Sequence, residues 1–77
     1  MYFCAMNIKE KIGKRIKQLR EDKGMSQKDL SFEADLDRSY IASIENGTRN
    51  VSIVNIEKIA RALKVSVATF FQTNDFK

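Results

Sequence analysis

Arg38, Ser39, Ala42, Ser43 and Asn46 recur at spacings of one, three and four, while Ile41 and Ile44 fall on the opposite side. On a helix this pattern gives one apolar face and one short polar face that opens with an arginine. The chemistry on offer is hydrogen bonding. A guanidinium at Arg38 can donate two parallel bonds to guanine O6 and N7, which is worth about 1–3 kcal/mol of discrimination against a wrong base. Ser39 and Ser43 can donate to or accept from neighbouring base edges, and small Ala42 lets the helix approach closely. Such a face suits a DNA major groove about 12 Å wide. The competing reading is a merely solvated surface, and for Ser43 taken alone it is as good.

Other residues point to positioning. Gln27 stands at the first turn of the preceding segment, where its amide and the free backbone N–H groups can grip a phosphate together. Tyr40, Arg49 and Asn50 are further phosphate candidates, with Arg49 in a loop beside Thr48 and Asn50. Tyr40 serves equally well as a half-buried packing residue. Acid–base and nucleophilic catalysis have nothing to work with. The chain contains no His, one Cys and no paired carboxylates in an apolar setting. Metal binding and cofactors lack ligands for the same reason.

The elements that must position these residues can be read from caps and periodicity. Asn7 to Lys23 has Ile8, Ile12, Ile16 and Leu19 at spacings of four, four and three, with Lys and Arg on the other faces, and Gly24 ends it. From Ser26 to Gly47 the chain reads as two short helices joined by a tight turn. Ser26 is placed to cap the first, and Asp37 to cap the second by accepting the backbone N–H of Tyr40; Asn46-Gly47 stops it. Leu30, Ala34, Leu36, Ile41 and Ile44 should face inward. Ser52 caps a helix from about Ile53 to Leu63, with Ile56, Ile59, Ala60 and Leu63 inward, and Ser66 caps a last one from Val67 to about Gln72. No convincing strand appears, so the fold class expected is all-α. Met1 to Met6 reads as a loose arm or, if translation begins at Met6, as sequence upstream of the natural start, and Thr73 to Lys77 should fray.

Composition sets the frame. At 77 residues the chain is a single domain with a thin core, burying about 60% of its unfolded surface, so a partner subunit would add useful burial. A homodimer is expected on that ground. Net charge is +4 with a pI near 9.4, which favours a polyanionic partner, yet the charge is uneven. Residues 1–25 carry seven Lys/Arg against three acids, residues 26–50 three against five, and residues 51–77 four against two. The proposed reading unit is therefore slightly acidic, and affinity must come from a few placed cations and helix-start N–H groups rather than bulk charge. No apolar run approaches the roughly 20 residues that span a bilayer. The lone Cys4 makes no internal disulfide, and MYFCAM lacks the features of a secretory signal. These observations predict a cytoplasmic protein with no membrane partner.

The spacing of Gln27, Leu30, Leu36, Ile41, Ile44-Glu45 and Gly47, with Arg20 and Gly24 upstream, resembles the lambda-repressor-like (XRE) helix-turn-helix family over roughly Ile8 to Phe71. The stretch LDRSYIASIENGTRNVSIVNI, with Phe70 and Phe71, further resembles the controller proteins of restriction-modification operons. The resemblance implies a compact five-helix DNA-binding domain with its helix-turn-helix at helices 2 and 3. It also implies a symmetric dimer and a palindromic operator read by the helix holding Arg38. A controller would act on its own operon, activating or repressing according to which operator dimers are filled, with RNA polymerase as a candidate further partner. Arg20 and Glu45 match an internal salt bridge that fixes the recognition helix against the first. Residues 66–72 match a dimerisation helix, with Val65, Val67, Phe70 and Phe71, beside Leu63, at the contact. The alternative there is that Phe70 fills the core and Phe71 is incidentally exposed. Two departures are visible. Asp35 stands where the family has a turn glycine, and Ser31 replaces a common alanine. Phe32 projects outward. A toxin-neutralising antitoxin or other protein-interaction module on the same fold is the rival function.

Overall fold

The computed structural model describes residues 7–73 and residue 76; the arm expected at Met1 to Met6, with Cys4, lies outside the described residues. Helix α1 runs Ile8–Asp22, α2 Gln27–Ala34, α3 Arg38–Glu45, α4 Ile53–Ala62 and α5 Val67–Phe70. Most starts are chemically marked. The Asn7 side chain accepts from the Glu10 backbone N–H while the Glu10 carboxylate accepts from that of Asn7, and Ser26 and Asp29 repeat this reciprocal cap at α2. Ser52 and Ser66 accept from the backbone N–H groups of Asn55 and Thr69 to start α4 and α5. Helix α3 departs from expectation: Asp37 occupies the cap position, but its side chain makes no capping hydrogen bond.

The ends are equally specific. After α3, the N–H of Gly47 donates to the Ile44 carbonyl and that of Thr48 to the Ser43 carbonyl, a closure that requires the left-handed backbone found at Gly47 (φ 76°). Asp35 carries the left-handed turn between α2 and α3 at φ 58° and ψ 48°, as its short polar side chain permits. Lys64, just past α4, adopts φ 64° without such an excuse.

The core lies where all five helices meet. Ile16, Leu30, Ile41, Ile44, Ile59, Leu63 and Phe70 are fully buried, flanked by Ile12, Leu19, Ala34, Ile56, Ala60 and Ala62. Leu36 is half-buried at its edge. Ile8 leaves the predicted stripe and is 57% exposed among the described residues, where it is the first residue of α1. Helix α5 ends at Phe70, short of the Gln72 expected.

Two assignments to a dimer contact are corrected by burial. Phe70 is 0% exposed within the single chain and Leu63 is likewise sealed, so both are core residues with no surface left for a second copy. Val65, Val67 and Phe71 remain partly exposed around that core. Phe76 returns to pack edge-on against Phe71, ring centroids 5.0 Å apart, so this part of the C-terminal segment is tied down.

Candidate nucleic-acid interface

The seat of α3 is built first by close approach. A Cβ on Gly13 would land on the carbonyl oxygen of Ile44, so α1 and α3 touch backbone to backbone where only glycine fits. Two turns further along α1, Arg20 clamps the end of α3. Its Nε donates to Glu45 Oε2 at 2.7 Å and its Nη2 to Oε1 at 3.1 Å, while Nη1 donates to the Met25 carbonyl at 2.7 Å in the α1–α2 turn. The side chains are 11% and 3% exposed. The hydrogen bonds to Glu45 raise the Arg20 pKa above its already high ordinary value; burial opposes this, and the charges of Glu45 and Glu21 assist. The pair is thus a fixed ionic rivet joining α1, the turn and α3.

Gln27 belongs to this rivet. Its Nε2 donates to Glu45 Oε1 at 3.1 Å, so the side-chain amide expected to meet a phosphate is already engaged with the recognition helix. Its carbonyl oxygen and remaining amide hydrogen stay available. Tyr40 is half-buried against the core, and its hydroxyl accepts from Asn55 Nδ2 at 2.9 Å. That leaves the phenolic O–H to donate outward. The Arg49 guanidinium lies over the Tyr40 ring at 5.0 Å, a cation–π contact that holds an exposed charge beside the helix. Asn50 is exposed next to it.

What remains on α3 is the polar face. Arg38, Ser39 and Asn46 are exposed, Ala42 and Ser43 half-exposed. Among the described residues, the side chains of Arg38, Ser39 and Ser43 have no hydrogen-bond or ionic partner. A rigidly seated helix presents donors and acceptors that the fold itself does not use.

Sequence reasoning missed three positioning residues. Gly13 is one, and nothing in the periodicity distinguishes it from a tolerated helical glycine. Asn55 is another, its partner lying in a different helix. Arg15 is the third, read only as filler of a charged face, although its Nε and Nη2 donate to the carbonyls of Phe70 and Thr69 at 2.7 and 2.8 Å. A signal for Arg15 existed in principle, since a four-residue helix leaves its carbonyls unsatisfied and needs outside donors.

Among the described residues, no group of three His, Cys, Asp or Glu side chains is placed to hold a metal, and no helix is long and apolar enough to cross a membrane. Two short helices joined at a left-handed residue, the second locked across α1 with its polar face free, define a helix-turn-helix protein. The chain belongs to that family, whose model matches residues 16–70. Its relatives include control proteins of restriction-modification systems. The control protein C.BamHI of Bacillus amyloliquefaciens is 55% identical over 60 residues, covering 77% of this chain and 74% of that protein. The restriction-modification controller protein C.AhdI from Aeromonas hydrophila superposes with a TM-score of 0.79 at 48% identity, over 82% of this chain and 96% of its own. The controller protein C.Esp1396I, solved as a tetramer in complex with its natural 35 base-pair operator, gives 0.80 at 42% identity, over 83% and 84%.

Proposed function

We infer that this chain is a transcriptional regulator of a restriction-modification operon, binding a palindromic double-stranded operator as a homodimer. The observation that carries the reading is the unpartnered face of Arg38, Ser39 and Ser43 on a helix immobilised by the Arg20–Glu45–Gln27 network. A face held this firmly pays little ordering entropy when it enters a groove. The operator complex of the similar controller protein supports the same use of this fold.

In this mechanism α3 enters the major groove. Arg38 reads a guanine through O6 and N7, and Ser39 and Ser43 contact adjacent base edges. Gln27, Tyr40, Arg49 and Asn50 hold phosphates on either side, fixing register without reading sequence. Two subunits place their α3 helices in successive major grooves about 34 Å apart on one face of the duplex. The half-buried Val65, Val67 and Phe71 supply the contact between subunits. The protein acts by binding, without catalysis, in the cytoplasm where its operon lies.

The test is a titration of Arg38→Ala against a specific palindrome and random duplex. Loss confined to one base position per half-site supports the reading, and equal loss on both duplexes contradicts it.

A further inference from the structure

Helix α5 has four residues, too few to hold its own direction. Its N-terminus is tied by Ser66, whose Oγ accepts from the Thr69 backbone N–H at 3.0 Å. The Thr69 carbonyl accepts the Gln72 backbone N–H at 3.1 Å, and the carbonyls of Thr69 and Phe70 are both tied from outside as well. Arg15, some 55 residues earlier on α1, donates from Nε to the Phe70 carbonyl at 2.7 Å and from Nη2 to the Thr69 carbonyl at 2.8 Å, with Nη1 to Gln18 Oε1 at 3.3 Å. These are short, charge-assisted bonds, and the cation sits at the negative end of the helix. Immediately beyond lies Phe71, partly exposed and edge-on to Phe70 at 4.9 Å.

The same α1 carries Gly13 against Ile44 and Arg20 against Glu45. It is thus a single fifteen-residue rod with the reading helix fixed to it at two points and α5 fixed to it at one. We propose that Arg15 is a positioning residue for self-association, setting the angle of α5 and Phe71 relative to the rod, and through it the spacing between the two reading helices of a dimer. The proposal rests on the homodimer reading above. It makes half-site spacing a property of the Arg15 joint rather than of apolar burial alone.

The experiment measures three quantities for wild type, Arg15→Gln, Arg15→Lys and Phe71→Ala. They are the dimer dissociation constant by sedimentation, affinity for a single half-site duplex, and relative affinity for palindromes whose spacer is one base pair too long or too short. Arg15→Gln is expected to raise the dimer dissociation constant about tenfold or more and to bring the altered spacers to within about twofold of the natural one, with half-site affinity unchanged. Arg15→Lys, which keeps the charge but not the paired donors, should fall between wild type and Arg15→Gln, and it serves as the test if the glutamine variant does not fold. A general loss of stability would lower half-site affinity in parallel and leave spacer preference intact, which would overturn the proposal. So would wild-type dimerisation and spacer preference in both Arg15 variants. If Phe71→Ala leaves self-association untouched, the apolar face itself is wrong; if Phe71→Ala weakens it while the Arg15 variants do not, only the role of Arg15 fails.

Discussion

Arg38 occupies a position that folding alone would not choose for it. It is the first residue of α3, where the helix dipole disfavours a cation by about 0.3–1 kcal/mol, and no described side chain compensates. Arg38→Ala should therefore leave stability unchanged or raise it by up to that amount, a shift readable by thermal melting, while discrimination at one base position is lost. Glu45 has the opposite profile. Its removal would strand the Arg20 guanidinium among buried groups, so Glu45→Ala should cost about 3–5 kcal/mol in denaturant unfolding and weaken all DNA sequences together. At the start of α2, the Ser26 backbone N–H and then the Ser26 side chain hold the exposed Asp29 carboxyl below its ordinary range. A carboxyl with a depressed folded pKa contributes stability above its unfolded value near 3.8, and that contribution disappears as pH falls through the folded value. Acid titration of wild type against Asp29→Asn should thus show the two converging below about pH 3.8.

At the scale of elements, two joints decide the geometry. Gly13 lets α1 and α3 meet, and a methyl there collides with the Ile44 carbonyl; Gly13→Ala should destabilise by about 1–3 kcal/mol and impair DNA binding by shifting α3 on its seat. The left-handed residues behave differently from each other. Lys64 at φ 64° carries a side-chain penalty of about 1–2 kcal/mol against a glycine entropy cost of about 0.5–1. Lys64→Gly should then raise the melting temperature, and by more than Asp35→Gly does, because Asp tolerates this backbone. The helices themselves were legible in the sequence. Serine caps locate α2, α4 and α5, since Ser before an apolar repeat satisfies free N–H groups whatever the tertiary context, while α1 and α3 are located by the spacing of their apolar residues and by the glycines that follow them. What escaped depends on contacts across the chain. Asp37 stands at the cap position without making the capping bond, the choice between dimer contact and core for Phe70 turns on how the other helices cover the short α5, and Arg15 and Asn55 find partners 55 and 15 residues away. The reading face was visible as a pattern, while the network that immobilises it could be inferred only by resemblance for Arg20 and Glu45 and not at all for Gln27.

The whole molecule turns a slightly acidic reading unit into a DNA binder by placement. On the proposed reading, Arg49 held over Tyr40 and Arg38 at the helix tip bring cations to the groove, and the basic remainder of the chain supplies long-range attraction. Affinity should fall steeply with salt, by about 0.9 log units per log unit of salt for each phosphate neutralised, while the preference for one sequence over another falls less. Specificity then rests on two copies of α3 held in fixed relation. The most direct measurement is selection of bound duplexes from a random pool, run in parallel for wild type and Arg38→Ala. The wild type is predicted to recover a palindrome with half-sites one helical turn apart, and Arg38→Ala the same palindrome with one position per half-site relaxed. Recovery of no palindrome by the wild type, or an identical motif from both proteins, would contradict it.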